Sequence, residues 1–129
     1  MLKLAIKPGE KIYIGRSTLL IRADTTVTVY IDGEQPILKD REAIDPEMAE
    51  TPLQKLHLLL QEIYLHGHSA QHMVNYRGLA REVEAQSEYA ARLVRQVEGW
   101  LAEGNCFMAI REIARFNRRS DSESDLQPR

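Results

Sequence analysis

The sequence predicts an α+β protein in which a small N-terminal antiparallel β unit is followed by a C-terminal bundle of about four α-helices. Apolar and polar residues alternate over much of the first 40 residues, which is the period of half-buried strands. From residue 51 onward, apolar residues recur at the three- and four-residue spacing of amphipathic helices. The predicted division is a β unit at 1–40, a connector at 41–50, a helical part at 51–118 and a disordered tail at 119–129.

The first residues predict a strand, a turn and a second strand. Leu2, Leu4 and Ile6 fall on one face of an extended chain, which is therefore expected to be the buried face. Residues 7–10 (KPGE) read as a type II turn, because Pro fixes φ at its second position and Gly allows positive φ at its third. Residues 11–14 then alternate again, so the opening predicts a hairpin-like unit.

Three further short strands are expected before residue 40. The first is the apolar run 19–21, and the second is 26–31, where β-branched residues alternate with polar ones before an Asp-Gly turn. Residues 36–38 predict an edge strand, because Pro36 cannot donate to a central ladder. The charged connector after them is expected to contain one helical turn following Pro46.

Four helices are predicted from their capping residues and apolar stripes. The first begins with a Thr-Pro-Leu-Gln capping box at Thr51 and ends at Gly67. The others begin after Ser69, Ser87 and Asn105. On the second helix, the residues expected to be buried are Met73, Tyr76, Leu79, Ala80 and Val83.

Composition narrows the compartment and the class of function. Cys106 is the single cysteine, so no internal disulfide can form, and this fits a reducing compartment. No run of residues resembles a signal peptide or a membrane span, so we expect a cytoplasmic protein without a membrane partner. The formal net charge is −2, whereas a sequence-independent nucleic-acid binder is normally strongly basic. Any RNA binding must therefore come from a local basic patch.

The sequence contains no pattern typical of an enzyme, a metal site or a cofactor site. Four histidines cluster at positions His57, His66, His68 and His72. No cysteine or carboxylate at matching spacing completes a metal site, so solvent-facing or partly packed side chains are expected. Cys106 is interpreted as a half-buried thiol rather than a nucleophile, and the turn glycines form no phosphate-binding loop.

The polar face of the β unit is the predicted RNA-binding site. If the alternation holds, six basic and aromatic side chains point away from the core: Lys3, Lys7, Lys11, Tyr13, Arg22 and Tyr30. Cations next to aromatic rings on a sheet are typical of single-stranded RNA binding, although a plain solvated face shows the same pattern. A second basic set is Arg111, Arg115, Arg118 and Arg119. It is interpreted as charges that complement a helix C-terminus.

Taken together, these motifs resemble the FlbT family of flagellin-synthesis regulators. The similarity lies in residues 4–15 with their KPGE turn at 7–10, and in the segment IDGEQPIL at 31–38. It continues in the Thr51-Pro52 helix start, the IYLHG stretch at 63–67 and the helix of residues 104–116. It covers about residues 1–117. The resemblance implies a bacterial post-transcriptional regulator that binds the 5′ untranslated leader of flagellin mRNA and represses its translation or promotes its decay. It implies no residue-level RNA site.

The opening is also similar to the carbon storage regulators, which share a start M-L-x-L followed by G-E-x-I-x-I-G. Those proteins bind mRNA leaders through an intertwined β dimer, with basic residues near the end of the first strand. Here Ala5 and Ile6 stand at that place, and a long helical half follows. A similar β core is therefore compatible with the sequence, but a different RNA site is expected.

A protein-interaction module of flagellum biogenesis is the alternative function. Leu58, Tyr64 and Leu65 fall outside the main stripe of the first predicted helix. These residues would then bind flagellin or another flagellar regulatory protein, and effects on mRNA would be indirect. Self-association into a homo-oligomer is a further use of the same surface.

Overall fold

The computed structural model describes residues 1–67 and 69–126, with side chains described within these ranges up to residue 118. Its strands precede its helices, so the predicted α+β class is confirmed. Within the described residues, no helix is both long and apolar enough to cross a membrane.

Five short strands form two antiparallel sheets. Strand β1 (Leu2–Ile6) pairs with β4 (Val27–Ile31) in a two-stranded sheet. Strand β2 (Lys11–Ile14) is the centre of a three-stranded sheet, between β3 (Ser17–Leu20) and β5 (Ile37–Lys39). The last strand is thus an edge strand, as the proline before it predicts.

The turn at residues 7–10 connects the two sheets rather than two paired strands. The N–H of Glu10 donates to the carbonyl oxygen of Lys7 at 3.1 Å, and Gly9 has the positive φ of 84° that a type II turn requires. The turn is therefore present, but the predicted hairpin-like pairing of its flanking strands is wrong. The chain crosses here from one sheet to the other, which lets Ile6 and Ile12 share a core.

Apolar side chains from both sheets form one cluster between them. Its buried members are Leu4, Ile6 and Ile12. Partly buried residues of both sheets and their loops surround them: Ile14, Leu19, Ile21, Val27, Val29, Ile31 and Ile37. Leu4 and Ile6 of β1 are buried and alternate residues of β4 are partly buried, as the alternation predicts. Leu2 is 44% exposed, because the buried face of β1 starts only at Leu4.

Four helices form the second half of the fold: α1 (Pro52–His66), α2 (Ala70–Glu84), α3 (Glu88–Ala102) and α4 (Cys106–Leu126). Each helix packs against the next along the chain, and α1 also packs against α4. The predicted helix starts are confirmed. The Oγ1 atom of Thr51 accepts from the N–H of Gln54 at 3.1 Å, and the Gln54 Oε1 atom accepts from the Thr51 N–H at 3.0 Å.

On α2, the helical core follows the predicted stripe except at Met73. On α2, Tyr76, Ala80 and Val83 are buried, but Met73 is 39% exposed. Its predicted burial is wrong, because the buried stripe of α2 starts only at Tyr76. The last helix also continues past residue 118 into the segment whose composition predicts disorder, while residues 127–129 lie outside the described part of the chain.

The connector attaches the β unit to the helices. It contains two short 3-10 helices, Asp40–Glu42 and Pro46–Met48, and the second is the helical turn predicted after Pro46. The Gln61 side chain of α1 accepts from the N–H of Ile44 at 2.8 Å and donates to its carbonyl oxygen at 3.0 Å. Leu38 of β5 is fully buried in the helical core, so the two halves share apolar contacts.

Candidate nucleic-acid interface

Lys3 and Tyr30 are directly opposite each other in the β1–β4 sheet. Both are exposed, and 61% of Tyr30 is accessible to solvent. Lys7 is exposed just beyond the end of β1. This outer face therefore matches the sequence prediction of cations next to an aromatic ring.

Lys11 and Tyr13 lie on a different surface. Both belong to β2, whose polar face points toward α1, and Tyr13 is half-buried against the helical core. Burial raises the pKa of the Tyr13 hydroxyl. The Lys11 Nζ atom lies 3.6 Å from Oδ2 of Asp45. The prediction that all six residues point away from the core is therefore wrong, because a second core covers the face that alternation alone marks as polar.

The predicted site is thus divided. Arg22 is exposed in the loop between β3 and β4, apart from the strand positions of Lys3 and Tyr30. Lys11 is engaged with the connector, since its N–H also donates to Oδ1 of Asp40 at 3.1 Å. RNA binding by this set stays a prediction, and Lys3, Lys7 and Tyr30 are its members on or next to the outer face of the β1–β4 sheet.

A second basic surface is formed where α4 meets the first 3-10 helix. Four arginines line one cavity of about 240 Å³: Arg41, Arg111, Arg115 and Arg118. Three of them lie one above another on α4, because residues three and four positions apart share a helix face. The Arg118 Nη1 atom donates to the carbonyl oxygen of Arg41 at 3.1 Å, which attaches the fourth arginine to the same site.

One carboxylate, that of Glu42, also lines this cavity. Glu42 is only 8% exposed, and its Oε1 atom accepts from the N–H of Lys39 at 3.0 Å. Among the side chains that the structure describes, the ion pair within 4 Å is that of Lys11 and Asp45. None of the four arginines is paired with a described carboxylate.

The basic surface continues into a second cavity, of about 230 Å³, between α3 and α4. Arg115 lines both cavities, so the two cavities are adjacent. The second cavity is also lined by Tyr89, Arg92, Glu112 and Phe116. Tyr89 is 73% exposed, and the Cζ atom of Arg92 lies 5.9 Å from its ring centroid. We call the surface of these two adjacent cavities, with Arg41, Arg92, Arg111, Arg115 and Arg118, the arginine groove.

Part of this groove can be recognised in the sequence. The interpretation of Arg111, Arg115 and Arg118 as charges that complement a helix C-terminus is wrong, because α4 extends to Leu126 and a helix dipole acts within the last turn only. The side chain of Arg119 lies outside the described residues. The spacing of the other three arginines does place them on one face, whereas only the tertiary fold brings Arg41 and Tyr89 to them.

The predicted half-buried thiol is confirmed. The Cys106 Sγ atom lies 3.7 Å from the carbonyl oxygen of Leu60, and burial raises the pKa of the thiol to about 11. Of the clustered histidines, His66 is exposed and His72 is partly buried, as expected. His57 is buried, contrary to the expectation, because it packs between the connector and α4. His68 lies outside the described residues. Within the described part of the chain, no group of three His, Cys, Asp or Glu residues is placed to hold a metal ion.

Comparison with known proteins places the chain in a family. The model of the family described as flagellar protein FlbT matches residues 2–121. A relative from Rhodopseudomonas palustris (strain TIE-1), named probable flagellum biosynthesis repressor protein FlbT, is 28% identical over 120 residues, which is 93% of this chain and 94% of the relative. The probable flagellum biosynthesis repressor protein FlbT 1 of Bradyrhizobium diazoefficiens is 27% identical over 116 residues, covering 89% of this chain and 79% of that protein. No solved structure matches the chain. Since the family model spans nearly the whole sequence, the chain belongs to the FlbT family of flagellar proteins.

Proposed function

We propose that this protein is a post-transcriptional regulator of flagellin synthesis that binds the 5′ untranslated leader of flagellin mRNA in the cytoplasm. Its relatives are named as repressors of flagellum biosynthesis, which is a regulatory rather than an enzymatic class. Bound protein would occlude the ribosome site or change the decay of the message. Repression of translation or faster decay of the mRNA would follow.

The main structural support for RNA binding is the arginine groove. Affinity for RNA comes largely from cations that neutralise phosphates, and a protein with a net charge of −2 can supply it only from a local patch. The five arginines that line the two adjacent cavities form such a patch. Arginine also suits this ligand because its planar guanidinium binds phosphate oxygens in pairs.

Direct binding can be measured with the purified chain and a fluorescently labelled flagellin leader. We expect saturable binding whose affinity falls steeply with salt, by roughly 0.7 in logarithmic slope for each phosphate contact to single-stranded RNA. A scrambled leader of equal length and composition is the control for sequence preference. Absence of binding even at low salt would reject the proposal.

Regulation in cells is a separate measurement. If the protein represses flagellin synthesis, expression of a reporter fused to the flagellin leader should increase when the gene for this protein is deleted. The same reporter with an unrelated leader should not respond. A response that does not depend on the leader would place the effect elsewhere than on this RNA segment.

Protein interaction is the second candidate function, and a different surface favours it. A cavity of about 480 Å³ lies between α1 and α2, lined by Leu58 and by Val74, which is 64% exposed. Of the other two residues predicted to form this surface, Leu65 is buried, and Tyr64 is partly buried with its ring centroid 5.9 Å from that of Phe107. Co-purification with flagellin that a Val74→Asp variant abolishes, without RNA binding by the wild type, would favour this function. Light scattering would show self-association instead.

A further inference from the structure

We propose that the arginine groove binds an unpaired stretch of RNA, with backbone phosphates at the guanidinium groups and one base stacked on the exposed ring of Tyr89. This inference rests on the proposed function, because it takes the RNA leader as the ligand. Beyond the proposed function, it specifies that the recognised part of the RNA is unpaired, and it names the residues that bind it.

The phosphate part of the site follows from the arrangement on α4. Arg111 and Arg115 are exposed at positions i and i+4, so their side chains start about 6 Å apart on one helix face. Arg118 is held toward them by its hydrogen bond to the Arg41 carbonyl oxygen. A row of cations at such intervals can follow successive phosphates of an RNA backbone.

The base-binding part follows from the second cavity. Tyr89 leaves 73% of its surface open at the edge of the cavity, and Phe116 lines the same cavity. Every nucleobase has a flat apolar face, so an exposed aromatic ring beside cations is a stacking platform. The Arg92 guanidinium lies over one face of the Tyr89 ring, with Cζ 5.9 Å from the ring centroid, so the base would stack on the opposite face.

The arrangement favours single-stranded RNA over a duplex. Bases in a duplex are stacked on each other and cannot reach an aromatic side chain, whereas bases in loops and single strands can. Glu112 also lines the second cavity, so the stacking end of the groove is less positive than the phosphate end. An acidic protein segment would use the arginines but would gain little from the Tyr89 ring.

The test compares three variants with the wild type for binding to the labelled leader. We expect Tyr89→Ala to weaken binding about 10-fold with an unchanged salt slope, the order expected for one lost base–aromatic stack. Tyr89→Phe keeps the ring and should bind like the wild type. Met48→Ala removes a side chain that is 64% exposed in the second 3-10 helix, outside the groove, and should change binding less than 2-fold.

The phosphate contacts have their own measurement. The double variant Arg111→Gln and Arg115→Gln should lower the logarithmic salt slope by about 1.4, since each phosphate contact to a single strand contributes about 0.7. An unpaired oligonucleotide should bind at least 10-fold more tightly than the same sequence in a duplex. Thermal unfolding of all variants, read by circular dichroism, controls for folding.

These measurements distinguish failure of the proposed binding site from failure of the proposed function. If the Tyr89→Ala variant and the arginine double variant both bind the leader as tightly as the wild type does, the groove is not the RNA-binding site, while the proposed function stands. If the wild type does not bind the leader, both are rejected. If the arginine double variant keeps RNA binding but loses co-purifying flagellin, the groove is a protein surface and this inference is overturned.

Discussion

The Nε2 atom of His57 lies 2.8 Å from the carbonyl oxygen of Glu42. On the other side of the ring, Nδ1 lies 3.3 Å from the side-chain amide nitrogen of Asn117. A neutral imidazole protonated at Nε2 satisfies both contacts, since Nε2–H donates to the carbonyl and Nδ1 accepts from the amide. This histidine therefore ties the connector to α1 and α4 in its uncharged form.

The neutral state of His57 predicts a loss of stability in mild acid. Burial lowers the pKa of the ring below its usual 6.5, and the charge of Arg118 acts in the same direction. Below pH 6.5 the unfolded chain binds this proton more readily than the folded chain, so the free energy of unfolding falls as pH decreases toward the folded-state pKa. We expect a decrease of up to about 1.4 kcal/mol per pH unit from this group, measured by urea unfolding between pH 7.5 and 5.5.

The matched control for that measurement is His57→Gln. The glutamine amide can still donate to the Glu42 carbonyl oxygen but does not titrate. Its stability should therefore change less between pH 7.5 and 5.5 than that of the wild type. Equal pH dependence of the two proteins would contradict the assignment to His57.

Cys106 is expected to react slowly while the protein is folded. The thiolate is the reactive form, and a pKa of about 11 leaves little of it at pH 8. Relative to an exposed cysteine in a peptide, we expect modification by a disulfide reagent to be about 100-fold slower or more. In 6 M urea the rate should approach that of the peptide. Rapid modification of the folded protein would show that the thiol is accessible.

The capping box at the start of α1 predicts a measurable cost when it is removed. Thr51→Ala leaves the N–H of Gln54 without its side-chain acceptor and should lower the free energy of unfolding by about 1 kcal/mol. Thr51→Ser keeps the acceptor and should cost less. Adding Gln54→Ala to Thr51→Ala should cost less than the sum of the single changes, because the two residues share a reciprocal contact.

Most helices, strands and turns can be predicted from the sequence, because the signals that form them come from residues close together in the chain. The helix starting at Thr51 and the turn at Gly9 are examples, since capping and positive φ are local effects. The pairing of strands is not local, and so the first turn predicted a hairpin where the chain instead changes sheet. Tyr13 shows the same limit at the candidate site, because its neighbours on α1 come from a distant part of the chain.

The location of RNA binding can be decided by two double variants of equal charge. Lys3→Gln with Lys7→Gln and Arg111→Gln with Arg115→Gln each remove two positive charges, so any difference in leader affinity reports position rather than net charge. All four residues are exposed, so neither pair should affect folding much. We expect the arginine pair to lose at least 10-fold more affinity at physiological salt. The lysine pair should lose only a few-fold, and that loss should fade as salt screens long-range attraction. A larger loss from the lysine pair would place the site on the β sheet, as the sequence alone predicted.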